Sequence, residues 1–257
     1  MSLLTQSANK PGFFITFEGI DGAGKSTHIQ AFADELSQRF PGRQIVLTRE
    51  PGGTALGEKL REILLHHPMH LETEALLMFA ARSQHINRVI LPALKDGKLV
   101  LCDRFTDTSY AYQGAGRVLE PGEVARISRW ATESLFPTLT IIIDLPPSIG
   151  LGRLKNKDRL ESQPLDFHER VRQEFLQLAA LDPERYVIID GNQSIEDTHA
   201  AIISRVSEIP ALKRNAVEDK GNLLLRPIRA VNKTVKKSAT AVKAKAKTTT
   251  KKPATKK

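Results

Sequence analysis

The sequence predicts an α/β fold, a mostly parallel sheet of five short strands with helices on both faces, and three observations predict it. Apolar runs of strand length recur at Phe13, Ile45–Thr48, Lys98–Cys102, Leu139–Leu145 and Tyr186–Ile189, and each is separated from the next by segments with helical spacing. The first three runs end in chemistry-bearing residues, Gly19 onward, Arg49-Glu50 and Asp103-Arg104. In parallel sheets ligands sit beyond the carboxyl ends of the strands, where all three fall.

The elements follow in order. Residues 1–12 read as a polar leader, and the folded domain is expected over 13–209. His28–Phe40 places Ile29, Phe32, Ala33 and Leu36 on one helical face and stops at Pro41-Gly42. Leu56, Leu60, Ile63 and Leu64 mark a second helix ending near Pro68. Glu72–Leu94 predicts one long buried helix, with Leu76, Leu77, Phe79, Ala80, Ile86 and Ile90 as its inward candidates. Glu123–Phe136 is helical after Pro121, and Pro146-Pro147 opens another helix that runs into Arg153-Leu154-Lys155-Asn156-Lys157-Asp158-Arg159, a charged interruption too polar to pack. Phe167, Val171, Phe175 and Leu178 restore the helical period, and Ile195–Val206 closes the domain.

Composition bounds the rest. The net charge of +9 belongs to the C-terminus: residues 233–257 hold ten lysines and no acid, while the remainder carries 28 bases against all 29 acids. That tail has no apolar period with which to form a core and is expected to be disordered, after a linker at 210–232. Two readings of it stand, non-specific contact with nucleic acid and plain solvation. The single cysteine, Cys102, excludes an intramolecular disulfide and reads as a small core residue at a strand end. No run has the length of a signal peptide h-region or a membrane span, so a cytoplasmic protein without membrane contact is expected.

The first strand leads into Gly19-Ile20-Asp21-Gly22-Ala23-Gly24-Lys25-Ser26-Thr27 and then a helix, the context that makes a phosphate-binding loop credible. Glycines let successive backbone N–H groups close around a phosphate, and the new helix presents its positive end to the same anion. Lys25 adds a charge between the transferable phosphates, and Ser26 offers a hydroxyl to Mg²⁺. The histidines His66, His67 and His70 are not a metal set, because Pro68 interrupts the helical spacing between them.

One such loop says nothing of the acceptor. Arg49-Glu50-Pro51-Gly52-Gly53, Asp103-Arg104-Phe105, Ala111-Tyr112-Gln113-Gly114 and the basic insertion at 153–159 narrow it, and together they resemble the thymidylate kinase family, bacterial type, over residues 13–207. The resemblance implies a P-loop nucleoside-monophosphate-kinase fold with a mobile lid at about 153–164, ATP and Mg²⁺ as cofactors, a homodimer, and phosphorylation of dTMP to dTDP. It carries the acceptor phosphate onto Arg104, helped by Arg49 and Arg61; guanidinium suits this because it bonds phosphate oxygens two at a time. Asp21 takes the position that binds the sugar 3′-hydroxyl, Asp103 acts near the magnesium, and Glu50 either shares that role or orients the arginines. Arg82, Ser109 and Gln113 match the base-reading positions, with Tyr112 beside them.

The stacking aromatic departs from the common pattern. Its usual place, four residues before Arg82, is Met78, while Phe79 lies three before; both share the helix face, and the ring is the better platform. Ala23 stands where one branch of the family has a loop arginine, so catalysis falls to the lid residues Arg153, Lys155, Lys157 and Arg159, with Arg153 first. Phosphoryl transfer asks for positioning and charge stabilisation rather than a general base. A nucleotide-hydrolysing switch would have no use for the adjacent Arg104 or a base-reading helix, and another nucleoside monophosphate kinase would differ in the acceptor contacts alone.

Overall fold

A computed structural model describes residues 12–207; the expected linker and tail, and all but the last residue of the leader, lie outside the described residues. Five strands, β1 (Phe13–Glu18), β2 (Ile45–Arg49), β3 (Leu99–Asp103), β4 (Leu139–Asp144) and β5 (Tyr186–Asp190), form one sheet in the order β2-β3-β1-β4-β5. Every pairing is parallel, with Phe13 opposite Leu99 on one side of β1 and Ile15 opposite Leu139 on the other. Strand order reverses beside β1, so the crevice for a ligand opens at its carboxyl end.

The alternation of β1 explains how one strand serves two layers. Phe13, Ile15 and Phe17 enter the larger core with Ile29, Phe32, Phe175 and Ile202, drawn from α1 (Lys25–Arg39), α8 (Leu165–Leu181) and α9 (Ile195–Ser207). Phe14 turns to the other face, against Ile86, Ile90, Cys102 and Phe105. Thr16 and Glu18 share that second face and are hydrogen-bonded there, Thr16 to Thr140 at 2.9 Å and Glu18 to the Phe105 N–H at 2.7 Å. Cys102 is fully buried at the end of β3, as its position in an apolar run suggests.

The expected long helix runs without a break through α3 (Leu71–His85), a π-helical turn over Ile86–Ile90, and α4 (Leu91–Lys95). Pro92 has no N–H to give and crowds the carbonyl four residues back, which relaxes when the preceding turn widens. Its inward face also differs. Leu76 is 56% exposed and Ala80 is exposed, whereas Glu74, Met78, Arg82 and His85 are buried. Hydrophobicity alone misassigns this face because Arg82 and His85 both pair with the buried Glu50, at 2.6 and 2.9 Å. The sixth helix, α6 (Pro121–Thr132), stops short of Phe136 because Glu133 and Ser134 turn left-handed, with φ 51° and 61°.

Between β3 and α6 lie α5 (Thr106–Ser109) and a second π-helical stretch, Tyr110–Gly116. The insertion after α7 (Pro147–Gly152) is not too polar to pack, contrary to expectation. Its Arg159 reaches α2 (Ala55–His66) and α3, donating to the Leu64 carbonyl at 2.8 Å and to Glu74 at 2.7 Å, so charge itself supplies the docking.

Candidate active site

The loop after β1 is a cradle built on backbone conformation. Gly22 has φ +74°, and a Cβ there would lie 2.0 Å from the Gly150 carbonyl oxygen, so only glycine fits. Gly24 is left-handed as well and begins α1 without a side-chain cap, which leaves the first N–H groups of the helix facing the cradle. Lys25 folds back to the Ile20 carbonyl at 2.7 Å. Burial, with the Arg104 charge second, pushes its pKa down to about 8.

Ser26, in the first turn of α1, meets Asp103 at the end of β3, the hydroxyl donating to the carboxylate at 2.8 Å. The other carboxylate oxygen of Asp103, Oδ1, is buried with no hydrogen-bond partner. An acceptor-only oxygen beside a P-loop hydroxyl fits a magnesium ion reached directly or through water. Among the described residues no cluster of three or more His, Cys, Asp or Glu forms a separate metal site, and the histidine triplet His66, His67 and His70 is no exception.

Below the loop, a cavity of about 90 Å³ is lined by Asp21, Glu50, Arg61, Met78, Arg104, Tyr112 and Gln113, with Leu160 and Glu161 of the lid among its other walls. Arg104 sits in the left-handed region, φ 71°, which costs a side-chain-bearing residue on the order of 1–3 kcal/mol. It is held there by its N–H on the Phe17 carbonyl at 2.9 Å and by Glu18, which binds Phe105 and Thr108 on either side. Burial, then the Asp107 charge, pushes Glu18 up to about 7.

The guanidinium of Arg104 donates to Asp21 at 2.5 Å and lies over the Tyr112 ring, whose hydroxyl donates to Asp21 at 2.6 Å. Burial opposes the Asp21 charge, but Arg104, Lys25 and the Tyr112 hydroxyl hold its carboxyl below the usual range. A cation, an acid and a phenol therefore share one wall under the phosphate loop. That set can grip an anion and a hydroxyl of one ligand.

Other expected residues separate into those that reach the cavity and those that do not. Arg61 lines it and donates to the Pro51 carbonyl, whereas Arg49 is half-exposed and ion-paired with Glu58 at 2.9 Å. Arg82 is buried away from the lining, donating to Glu50, Ser109 and the Phe105 carbonyl at 2.6 to 2.8 Å. Arg82 and Ser109 are thus hydrogen-bonded to each other, and neither is among the residues that line the cavity. Glu50 accepts from Arg82 with one oxygen and pairs with His85 through the other, the orienting arrangement of the two expected for it.

Met78, not Phe79, lies in the cavity wall. Phe79 turns into a small cluster with Ala75, Val124 and Ala131 against α6, because the shared helix face was divided by the neighbour it packs on. In the lid, Arg153 bridges the Gly22 and Gly191 carbonyls at 3.3 Å, beside the phosphate cradle. Arg159 is held at α3 instead, by the Glu74 carboxylate. Glu18, Glu74, His85 and Arg117 are site-supporting residues that the sequence reading missed. The signal was there in α3: residues 74, 78, 82 and 85 share one face and carry an acid, an arginine and a histidine, a pattern that marks a buried polar network.

Comparison with known proteins adds three findings. The family model described as thymidylate kinase matches residues 17–202. Thymidylate kinases of Ralstonia nicotianae and Cupriavidus pinatubonensis are 51% and 54% identical over 191 and 188 residues, each alignment covering 72% of this chain and 93% of the relative. A crystal structure of thymidylate kinase from Ehrlichia chaffeensis superposes with a TM-score of 0.65 at 33% identity, covering 77% of this chain and 99% of that one.

Proposed function

The chain belongs to the thymidylate kinase family, and from that membership we propose which of its residues carry the transfer of a phosphoryl group from ATP to dTMP, giving dTDP. The P-loop backbone and Lys25 hold the donor phosphates. Ser26 and Asp103 would hold Mg²⁺, which supplies charge neutralisation between the β- and γ-phosphates when bound. Arg104 and Arg61 take the acceptor phosphate, and Asp21 with Tyr112 takes the sugar hydroxyl. Met78 covers the base and Gln113 reads its edge. Arg153 stabilises the phosphoryl group in flight from above the cradle.

One observation carries this reading: Asp21, Arg104, Tyr112 and Gln113 converge in a single cavity directly beneath the phosphate loop. Acceptor and donor sites that share Asp21 and Arg104 as a common wall put the two phosphates in reach of each other, the main requirement of the reaction. The test is ATP-dependent phosphorylation across dTMP, dUMP, UMP, dCMP and AMP. Highest kcat/KM on dTMP is expected; a clear preference for UMP or AMP would refute the acceptor assignment.

The assembly we propose is a homodimer. Two helices packed on each other, α3 and α6, leave Leu76 and Trp130 at 56% and 83% exposure, apolar side chains that a partner subunit would cover. No helix among the described residues is long and apolar enough to cross a membrane, and we assign the enzyme to the cytoplasm, where ATP and reduced thiols are at hand.

A further inference from the structure

Glu74, on α3, is 1% exposed and lies outside the cavity lining, yet its two carboxylate oxygens collect three partners from three parts of the chain. Gln113 donates Nε2 to Oε1 at 3.0 Å, Arg117 donates to Oε2 at 3.1 Å, and Arg159 of the lid donates to Oε2 at 2.7 Å. Arg117 also donates to Gln163 of the lid at 2.9 Å. Burial opposes the charge of Glu74, but the Gln113 and Arg159 hydrogen bonds and the Arg117 charge hold its carboxyl below the usual range.

An ionised carboxylate only accepts hydrogen bonds, so the amide of Gln113 has one tolerable orientation, NH₂ toward Glu74 and oxygen away. That oxygen, Oε1, is buried without a partner, on a side chain that lines the cavity. An unpaired acceptor set against ring position 3 of a pyrimidine favours a base with an N–H at that atom. Thymine has one at N3, whereas cytosine has a lone pair there, which would leave two acceptors facing each other.

We propose that Glu74 is a positioning residue for base selection: it sets the Gln113 amide with its oxygen toward the cavity and ties the lid, through Arg159, to the same carboxylate. The inference rests on dTMP being the acceptor. It makes reading of the base and closure of the lid two loads on one buried anion, so a lid held by Glu74 also holds Gln113 in its selective orientation. Glu74→Gln would relax this constraint, because a neutral amide pairs with either end of Gln113 and holds the two arginines only through weaker, uncharged-acceptor bonds.

The experiment is steady-state kinetics of the full chain on dTMP and dCMP for wild type, Glu74→Gln, Gln113→Ala and the double variant. Glu74→Gln should lower the dTMP-over-dCMP ratio of kcat/KM at least tenfold, chiefly through the KM of dTMP. In the Gln113→Ala background the same change should move the ratio less than twofold, since the amide it orients is gone. A ratio within twofold of wild type in Glu74→Gln, or an equal further loss in the double variant, overturns the proposal. If Glu74→Gln does not fold, Arg159→Gln tests the lid limb on a more exposed residue: dTMP KM should rise at least fivefold while the KM of ATP stays within twofold, and an unchanged dTMP KM overturns it. A wild type that uses dCMP as well as dTMP removes the base reading and the proposal with it, an outcome distinct from a selective wild type whose Glu74→Gln variant stays selective.

Discussion

Replacing Arg153 with alanine separates catalysis from stability in this enzyme. Its guanidinium makes two long bonds, 3.3 Å each, to the carbonyls of Gly22 and Gly191. Charge-assisted bonds this long, made at a partly solvated site, contribute about 1 kcal/mol, so the thermal midpoint should fall by no more than a few degrees. The same group stands beside the cradle, where negative charge redistributes as the phosphoryl group moves. A contact of that kind is commonly worth roughly 3 kcal/mol in the transition state, or about 150-fold in kcat. Coupled measurement of ADP release gives kcat and both KM values, and differential scanning fluorimetry gives the midpoint. The expected signature is a kcat loss near two orders of magnitude with each KM within about threefold, the mark of a contact made chiefly in the transition state. A kcat within fivefold of wild type would refute the role, and a larger kcat loss in Lys155→Ala, Lys157→Ala or Arg159→Ala would move it elsewhere in the lid.

Three further outcomes are expected. Lys25 titrates at about 8 in the free enzyme, so above that pH it loses the charge that meets phosphate; kcat/KM for ATP should fall about tenfold per pH unit, and Lys25→Arg, always charged, should lack that limb. A profile flat to pH 9.5 would show that Lys25 stays protonated. Trp130→Arg should convert the proposed dimer to monomer by analytical ultracentrifugation, and an unchanged dimer mass would exclude this face from the contact. Deleting residues 233–257, which lie outside the described structure, should leave kcat and KM for dTMP within about twofold, a change under roughly 0.5 kcal/mol, while abolishing salt-sensitive retention on a DNA column; a large kinetic defect would make the tail part of the active enzyme.

What this sequence determined alone is whatever depends on neighbours along the chain. The run from Phe13 to Thr27 specifies strand, cradle and helix because backbone conformation at Gly22 and Gly24 and the position of Lys25 are local properties, and the structure keeps every one of them. Arg104 was legible for the same reason: a charge directly after a buried strand must leave the sheet at its carboxyl end, where the ligand crevice is. The parallel sheet followed from the alternation of short apolar runs with helical ones.

Only the tertiary structure decided between residues that share a helix face or a loop. Met78 and Phe79 are equivalent by spacing, and α6 packing against Phe79 is what leaves Met78 to the cavity. Arg82 matches a base-reading position by spacing, and Glu50, brought from β2, is the partner its guanidinium meets. Within the lid, Arg153 and Arg159 are chemically identical, and the buried charge of Glu74 draws one to α3 while the other remains at the P-loop. Spacing along the chain places a side chain on a face. Which partner it meets depends on charges and surfaces delivered from residues far away in sequence, because buried ion pairs form only where both members converge out of water.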